Sequence, residues 1–125
     1  LQLMGTESGR NVFHRDVWVL SFIRRTDPAK HYVLADVRFP NEIDLIRGTG
    51  GKVIRVKRGA DPEWYDTAEA YNVMTSWDGS IQQMKKYPNV HYSEWAWIGK
   101  KFDEEVSNST SLEDLENKVV KLIDV

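Results

Sequence analysis

The sequence predicts an α/β protein built on a parallel sheet, and three stretches carry that expectation. The first is Tyr32-Val-Leu-Ala-Asp-Val-Arg-Phe-Pro-Asn-Glu42, which runs from apolar residues into polar ones, with Pro40 where a helix can begin. A short apolar run holding β-branched and aromatic residues reads as a buried strand. Proline at the first helical position, with an acid in the first turn, reads as a helix start. The second is Lys52-Val-Ile-Arg-Val-Lys-Arg58, a further strand a few residues on. Strand, short helix and strand in so little chain form a right-handed βαβ unit, which requires parallel pairing. The third is the closing helix, where Thr110-Ser-Leu-Glu113 matches a capping box and Leu112, Leu115, Val119 and Leu122 keep helical spacing.

The other elements follow in order. Leu1 to Asn11 contains Gly5-Thr-Glu-Ser-Gly-Arg10, a polar segment punctuated by glycine that reads as a loop or helix end. Asp16 to Arg25 reads as an amphipathic helix with Val17, Leu20, Phe22 and Ile23 inward, stopped by Thr26-Asp-Pro28. Arg24 and Arg25 in its last turn complement the helix dipole, which makes them structural. Ile43, Leu45 and Ile46 support the short helix after Pro40, ended by Gly48, Gly50 and Gly51. Residues 59–90 are the least regular, with helix expected around Pro62–Met74 and Ser80–Tyr87 and a turn at Ser76-Trp-Asp-Gly79. Trp64, Tyr65, Tyr71, Trp77 and Tyr87 gather there. Two readings stay open: a lid-like helical insertion, or aromatic packing against the domain. Phe102 to Ser107 reads as a third strand, weakened by Asp103-Glu-Glu105.

At 125 residues the chain has room for one domain, 1–125, and not for two. With 41% hydrophobic and 29% charged residues it is globular rather than disordered. A net charge of −2 gives no bulk reason to expect nucleic acid or an anionic membrane as partner. The absence of cysteine excludes disulfides and thiolate metal sites. No stretch is apolar enough for a helical span and the N-terminus lacks a signal-peptide core, so a cytoplasmic location is expected. The first residue is Leu1 and the earliest methionine is Met4, so the chain is expected to be a piece of something longer, or processed.

Asp36 and Arg38 fall where α/β enzymes place ligands, beyond the carboxyl end of a strand. A surface turn with an incidental ion pair fits those residues equally well. Arg38 and Arg58 both lie at expected strand ends on one edge, where paired guanidinium forks suit a phosphorylated ligand. Each such charge-assisted bond contributes roughly 1.5–3 kcal/mol. Asp36 has the position of a carboxylate that holds Mg²⁺ through water. His91 with Glu94 reads as an acid/base pair, a ligand clamp or a plain hydrogen-bonded pair. There is no Gly-x-x-x-x-Gly-Lys-Ser/Thr, and Gly48-Thr-Gly-Gly51 lacks both the lysine and the hydroxyl. The residues therefore describe a phosphate-handling α/β domain without a triphosphate cradle.

Five segments resemble the bacteriophage deoxynucleoside monophosphate kinases, a P-loop kinase family. They are Leu1 to Arg10, Asp36 to Glu42, Gly50 to Arg58, His91-Tyr-Ser-Glu-Trp-Ala-Trp97 and Asn108 to Leu115, in the family's order and extending over essentially the whole chain. The resemblance implies a three-layer, parallel-sheet P-loop-kinase-like fold, incomplete at the N-terminus, with 59–90 as the lid. It implies transfer of the ATP γ-phosphoryl group to a deoxynucleoside monophosphate, with Mg²⁺. Asp36, Arg38 and Arg58 then match catalytic positions, Asp36 also binding the metal through water. Arg10, Arg38, Asn41, Glu42, His91, Ser93 and Glu94 match substrate-binding positions. The family's first strand, Walker A loop and first helix precede Leu1, and losing a central strand leaves a gap in the sheet. The chain is thus expected to belong to a longer kinase, to pair with an N-terminal P-loop fragment, or to close the gap by rearrangement or by self-association as a homo-oligomer. No kinase activity is expected from it alone, and the location expected of a phage product is the host-cell cytoplasm. The alternative is a non-catalytic, kinase-derived module that binds a nucleotide or a protein through its aromatic segment.

Overall fold

Residues 54–57 (β1, Ile54–Lys57) pair in parallel with residues 104–107 (β2, Glu104–Ser107), Ile54 opposite Glu104 and Lys57 opposite Ser107. This computed structural model describes residues 2–74 and 84–123, and among them the sheet has these two strands. A π-helical segment (Leu3–Phe13) comes first, followed by α1 (Val17–Ile23), α2 (Pro40–Gly48), β1 and α3 (Tyr65–Val73). A 3₁₀ turn (Tyr92–Glu94), β2 and α4 (Leu112–Ile123) complete the order. Helices with a small parallel sheet make the chain α/β. Among the described residues, no helix is long and apolar enough to cross a membrane.

The acids that weakened the third strand in the sequence are what join it to β1. Asp103 Oδ2 accepts from the Val53 N–H at 2.7 Å, and Glu105 meets Arg55 across the ladder at 3.0 Å. Opposite charges facing each other on one side of a ladder stabilise the pairing. The expected βαβ unit is corrected: the parallel partner of β1 is β2, and Tyr32–Ala35 forms no strand. Its apolar run is not buried, Val33 being 91% exposed, so nothing offsets the ordering of an unpaired strand. Tyr32 instead packs edge-on to Phe22 at 5.7 Å and accepts the Asp27 N–H at 2.7 Å, holding the exit of α1.

α2 begins as read, with Pro40 at its first position and Glu42 reaching back to the Phe39 N–H. It closes in a Schellman motif: Gly51 N–H bonds Ile46 C=O at 2.8 Å and Gly50 N–H bonds Arg47 C=O at 3.0 Å. Gly50 sits at φ +79°, where a side chain is strained. Of the two readings of the N-terminal segment, loop or helix end, the loop is overturned: Leu3–Phe13 is helical with bonds five residues apart, the last being His14 N–H to Gly9 C=O. The cap of α4 is shifted by one residue. Ser111 Oγ, rather than Thr110, accepts the Asp114 N–H at 3.2 Å.

Ala68, Met84, Trp95 and Ile98 form the core, with Trp64, Tyr65, Tyr71, Tyr87, Val90 and Trp97 packed on it. Tyr71 and Tyr92 meet the Trp95 ring edge to face at 5.1 and 4.7 Å, pairs each contributing about 0.5–1.5 kcal/mol beyond their burial. Asn72 Nδ2 donates to the Trp95 and Ile98 carbonyls at 2.8 and 2.9 Å, which satisfies the chain where it turns over α3. Trp77, the turn at 76–79 and the first half of the helix expected over 80–87 lie outside the described residues.

Candidate functional site

Gly9 opens the site by having no side chain. A Cβ there would stand 2.9 Å from the Trp18 ring, so only glycine lets α1 approach the π-helical segment this closely. Trp18 Nε1 then donates to the Gly5 carbonyl at 2.9 Å. Between these two helices, the turn before α2 and the 3₁₀ turn lies a cavity of about 480 Å³. Arg10, Asp36, Arg38, Glu42 and Ser93 line it, over an apolar floor that includes Trp18, Phe22 and Leu45.

Arg10 is the most sequestered charge in the cavity wall, its side chain 10% exposed. Its guanidinium lies over the Phe39 ring, 3.8 Å from the centroid, and donates to the Arg15 carbonyl at 3.2 Å. It also pairs with Glu42 Oε1. Glu42 Oε2 meanwhile accepts the Arg38 and Phe39 N–H groups at 2.8 and 3.0 Å. One carboxylate thus caps α2, fixes the turn that carries Arg38, and neutralises Arg10. Arg10 Nε and Glu7 Oε2 are buried without a partner among the described residues.

Arg38 sits between two acids, Nε to Asp36 Oδ1 at 2.7 Å and Nη1 to Glu94 Oε1 at 3.1 Å. Gln2 Nε2 donates to the same Glu94 oxygen at 2.8 Å. Asp36 is 82% exposed, so this pair is weak and exchangeable. His91 corrects the expected pairing with Glu94: its carboxylate partner is Glu7, Nε2 to Oε1 at 3.0 Å, and Nδ1 lies 2.8 Å from Ser93 Oγ. The hydrogen bond from His91 holds the Glu7 carboxyl below its ordinary range.

Two expected residues stand apart. Asn41 faces α1, donating to Asp16 Oδ1 at 2.7 Å and the Arg15 carbonyl at 3.3 Å. Arg58 follows β1, is exposed, and does not line the cavity, so Arg38 and Arg58 do not converge there. Glu7, Gln2 and Phe39 belong to the site and were not singled out from the sequence. Glu7 is 84 residues from His91, a separation over which local spacing carries no signal. A second cluster, Arg55 with Asp61 and Glu105 and Lys57 with Asp61 at 2.7 Å, ties the sheet to the approach to α3. Arg55 also lies over Tyr65 and Trp97, which makes it structural.

No group of three or more His, Asp or Glu is placed to hold a metal among the described residues. Of the two carboxylates that line the cavity, Glu42 is taken up by Arg10 and the cap of α2, and Asp36 is the exposed one beside Arg38. That donor set fits a Mg²⁺ kept mostly by water and phosphate, not a protein cage.

Over 52 residues the chain is 46% identical to the deoxynucleoside-5'-monophosphate kinase of Escherichia phage T5, a match covering 39% of this chain and 20% of that kinase. The chain thus spans about a fifth of the length of the curated relative it matches. No protein-family model and no solved structure matches it. The likeness supports, at most, a kinase-like relationship over part of the chain.

Proposed function

We propose that this chain supplies the acceptor-nucleotide side of a deoxynucleoside monophosphate kinase, in a P-loop-kinase-like fold of which 1–125 is a single domain with 59–90 as its insertion. The observation that carries this is the meeting of Arg10, Arg38 and Asp36 at one cavity in a chain 46% identical over 52 residues to the phage T5 kinase. Phosphoryl transfer asks the protein mainly for positioning and charge neutralisation, which buried and clamped arginines provide. Arg38 exchanges its exposed Asp36 and Glu94 partners for a phosphate oxygen. Arg10 is pre-set by Phe39 and Glu42, so little side-chain freedom is lost on binding. Asp36 would hold Mg²⁺ through water, and the ion would neutralise charge on the phosphates. These residues contain no Walker A sequence, so a P-loop for ATP must come from outside them.

The 125-residue chain titrated calorimetrically with deoxynucleoside monophosphates, and separately with ATP, tests this reading. Monophosphate binding without ATP binding is the expected result. Arg38→Ala should weaken the monophosphate by about tenfold to a hundredfold. Failure of every monophosphate to bind would overturn the assignment. It would favour the kinase-derived interaction module, although Trp64, Tyr65 and Tyr71 pack on the core rather than facing a partner.

A further inference from the structure

We infer that Ser93 accepts a hydrogen bond from the sugar 3′-hydroxyl of a bound deoxynucleotide, with Glu7 and His91 as the positioning residues that impose this polarity. The inference rests on the deoxynucleotide reading of the cavity. The Ser93 backbone N–H lies 3.2 Å from His91 Nδ1. An amide only donates, so Nδ1 carries no proton. The same nitrogen is 2.8 Å from Ser93 Oγ, and that bond must therefore be donated by the hydroxyl. The ring proton is then on Nε2, where it is donated to Glu7 Oε1 at 3.0 Å. Donation runs one way, from Ser93 through His91 to Glu7.

The single hydroxyl proton of Ser93 is spent on this relay, so only its lone pairs remain for a ligand. Ser93 is 3% exposed as a residue and lines the same cavity as Arg10 and Arg38. Those two arginines are donors without acceptor capacity and suit the phosphate. Ser93 has the opposite need. A phosphate dianion offers no donor, whereas the 3′-hydroxyl is the donor that every deoxynucleotide carries whatever its base. A site that keeps a buried acceptor for a ligand hydroxyl rejects the ligand lacking it, because the acceptor is left unpaired.

The test is a cycle of binding constants for the 125-residue chain with thymidine 5′-monophosphate and its 3′-deoxy analogue. The unmodified chain should bind the hydroxylated nucleotide about three- to tenfold more tightly. Ser93→Ala should bring the two affinities within a factor of about two. His91→Asn, which keeps an acceptor near the Nδ1 position, should retain the preference, and His91→Phe should lose it. Equal affinities in the unmodified chain, or a preference surviving Ser93→Ala, would overturn the role of Ser93 while leaving the cavity reading intact. Absence of binding by either nucleotide overturns both. Comparison of the two ligands on the unmodified chain needs no variant to fold.

Discussion

Glu42 concentrates more of the site than any other side chain. Its two oxygens serve Arg10 and the Arg38 and Phe39 amides, at 14% side-chain exposure. Glu42→Ala removes a helix cap and strands a largely buried guanidinium, for an expected loss of about 3 kcal/mol. Glu42→Gln keeps an oxygen for the amides and should cost roughly half of that. Urea midpoints of the two variants decide the matter: equal losses would mean that the capping bonds carry nothing. Part of this role was readable in the sequence, since an acid in the first turn after Pro40 marks a helix start. Its service to Arg10 was not, because the two residues are 32 apart and meet only through the fold. The same holds for Glu7 and His91. Residue type and local spacing show what a side chain offers, and its partner is a tertiary fact.

Among the elements, those whose signals are local were legible and those defined by a neighbour were not. The end of α2 was written in its glycines, and Gly50 at φ +79° makes the requirement physical. Gly50→Ala should destabilise the protein by about 1–2 kcal/mol, measured as a fall in denaturant midpoint with an unchanged slope. A neutral result would show that the motif relaxes to another closure. Tyr32–Ala35 has the composition of a strand, yet a strand exists only with a partner, and the ladder instead joins β1 to β2. The acids of β2 argued against a strand until Val53 and Arg55 supplied their partners. The extent of the helix at Leu3–Phe13 was hidden because Gly5 and Gly9 signal a loop or helix end, whereas Gly9 is there to admit Trp18.

At the scale of the whole molecule, three carboxyls tie stability to pH. Glu7, Asp61 and Asp114 all titrate below their ordinary range, held chiefly by hydrogen bonds from His91, Lys57 and Lys118 respectively. A carboxyl lowered in the folded state adds stability that is fully present above its unfolded pKa. That stability is lost as pH falls through the lowered folded value. The urea midpoint should therefore decline on acidification, most steeply below about pH 4. Asp61→Asn should flatten that decline, and a midpoint that rises in acid would contradict the assignment.

The parallel ladder has one more consequence, in time rather than in energy. Arg55 and Glu105 meet across 50 residues of chain, so pairing them closes a long loop before any bond rewards it. Within that loop, α3 and the cluster around Ile98 bring Ala68 and Trp95 together and shorten the effective span. The aromatic cluster is thus expected to assemble ahead of the sheet, and the ladder to be the slow, late step that sets the pace of folding.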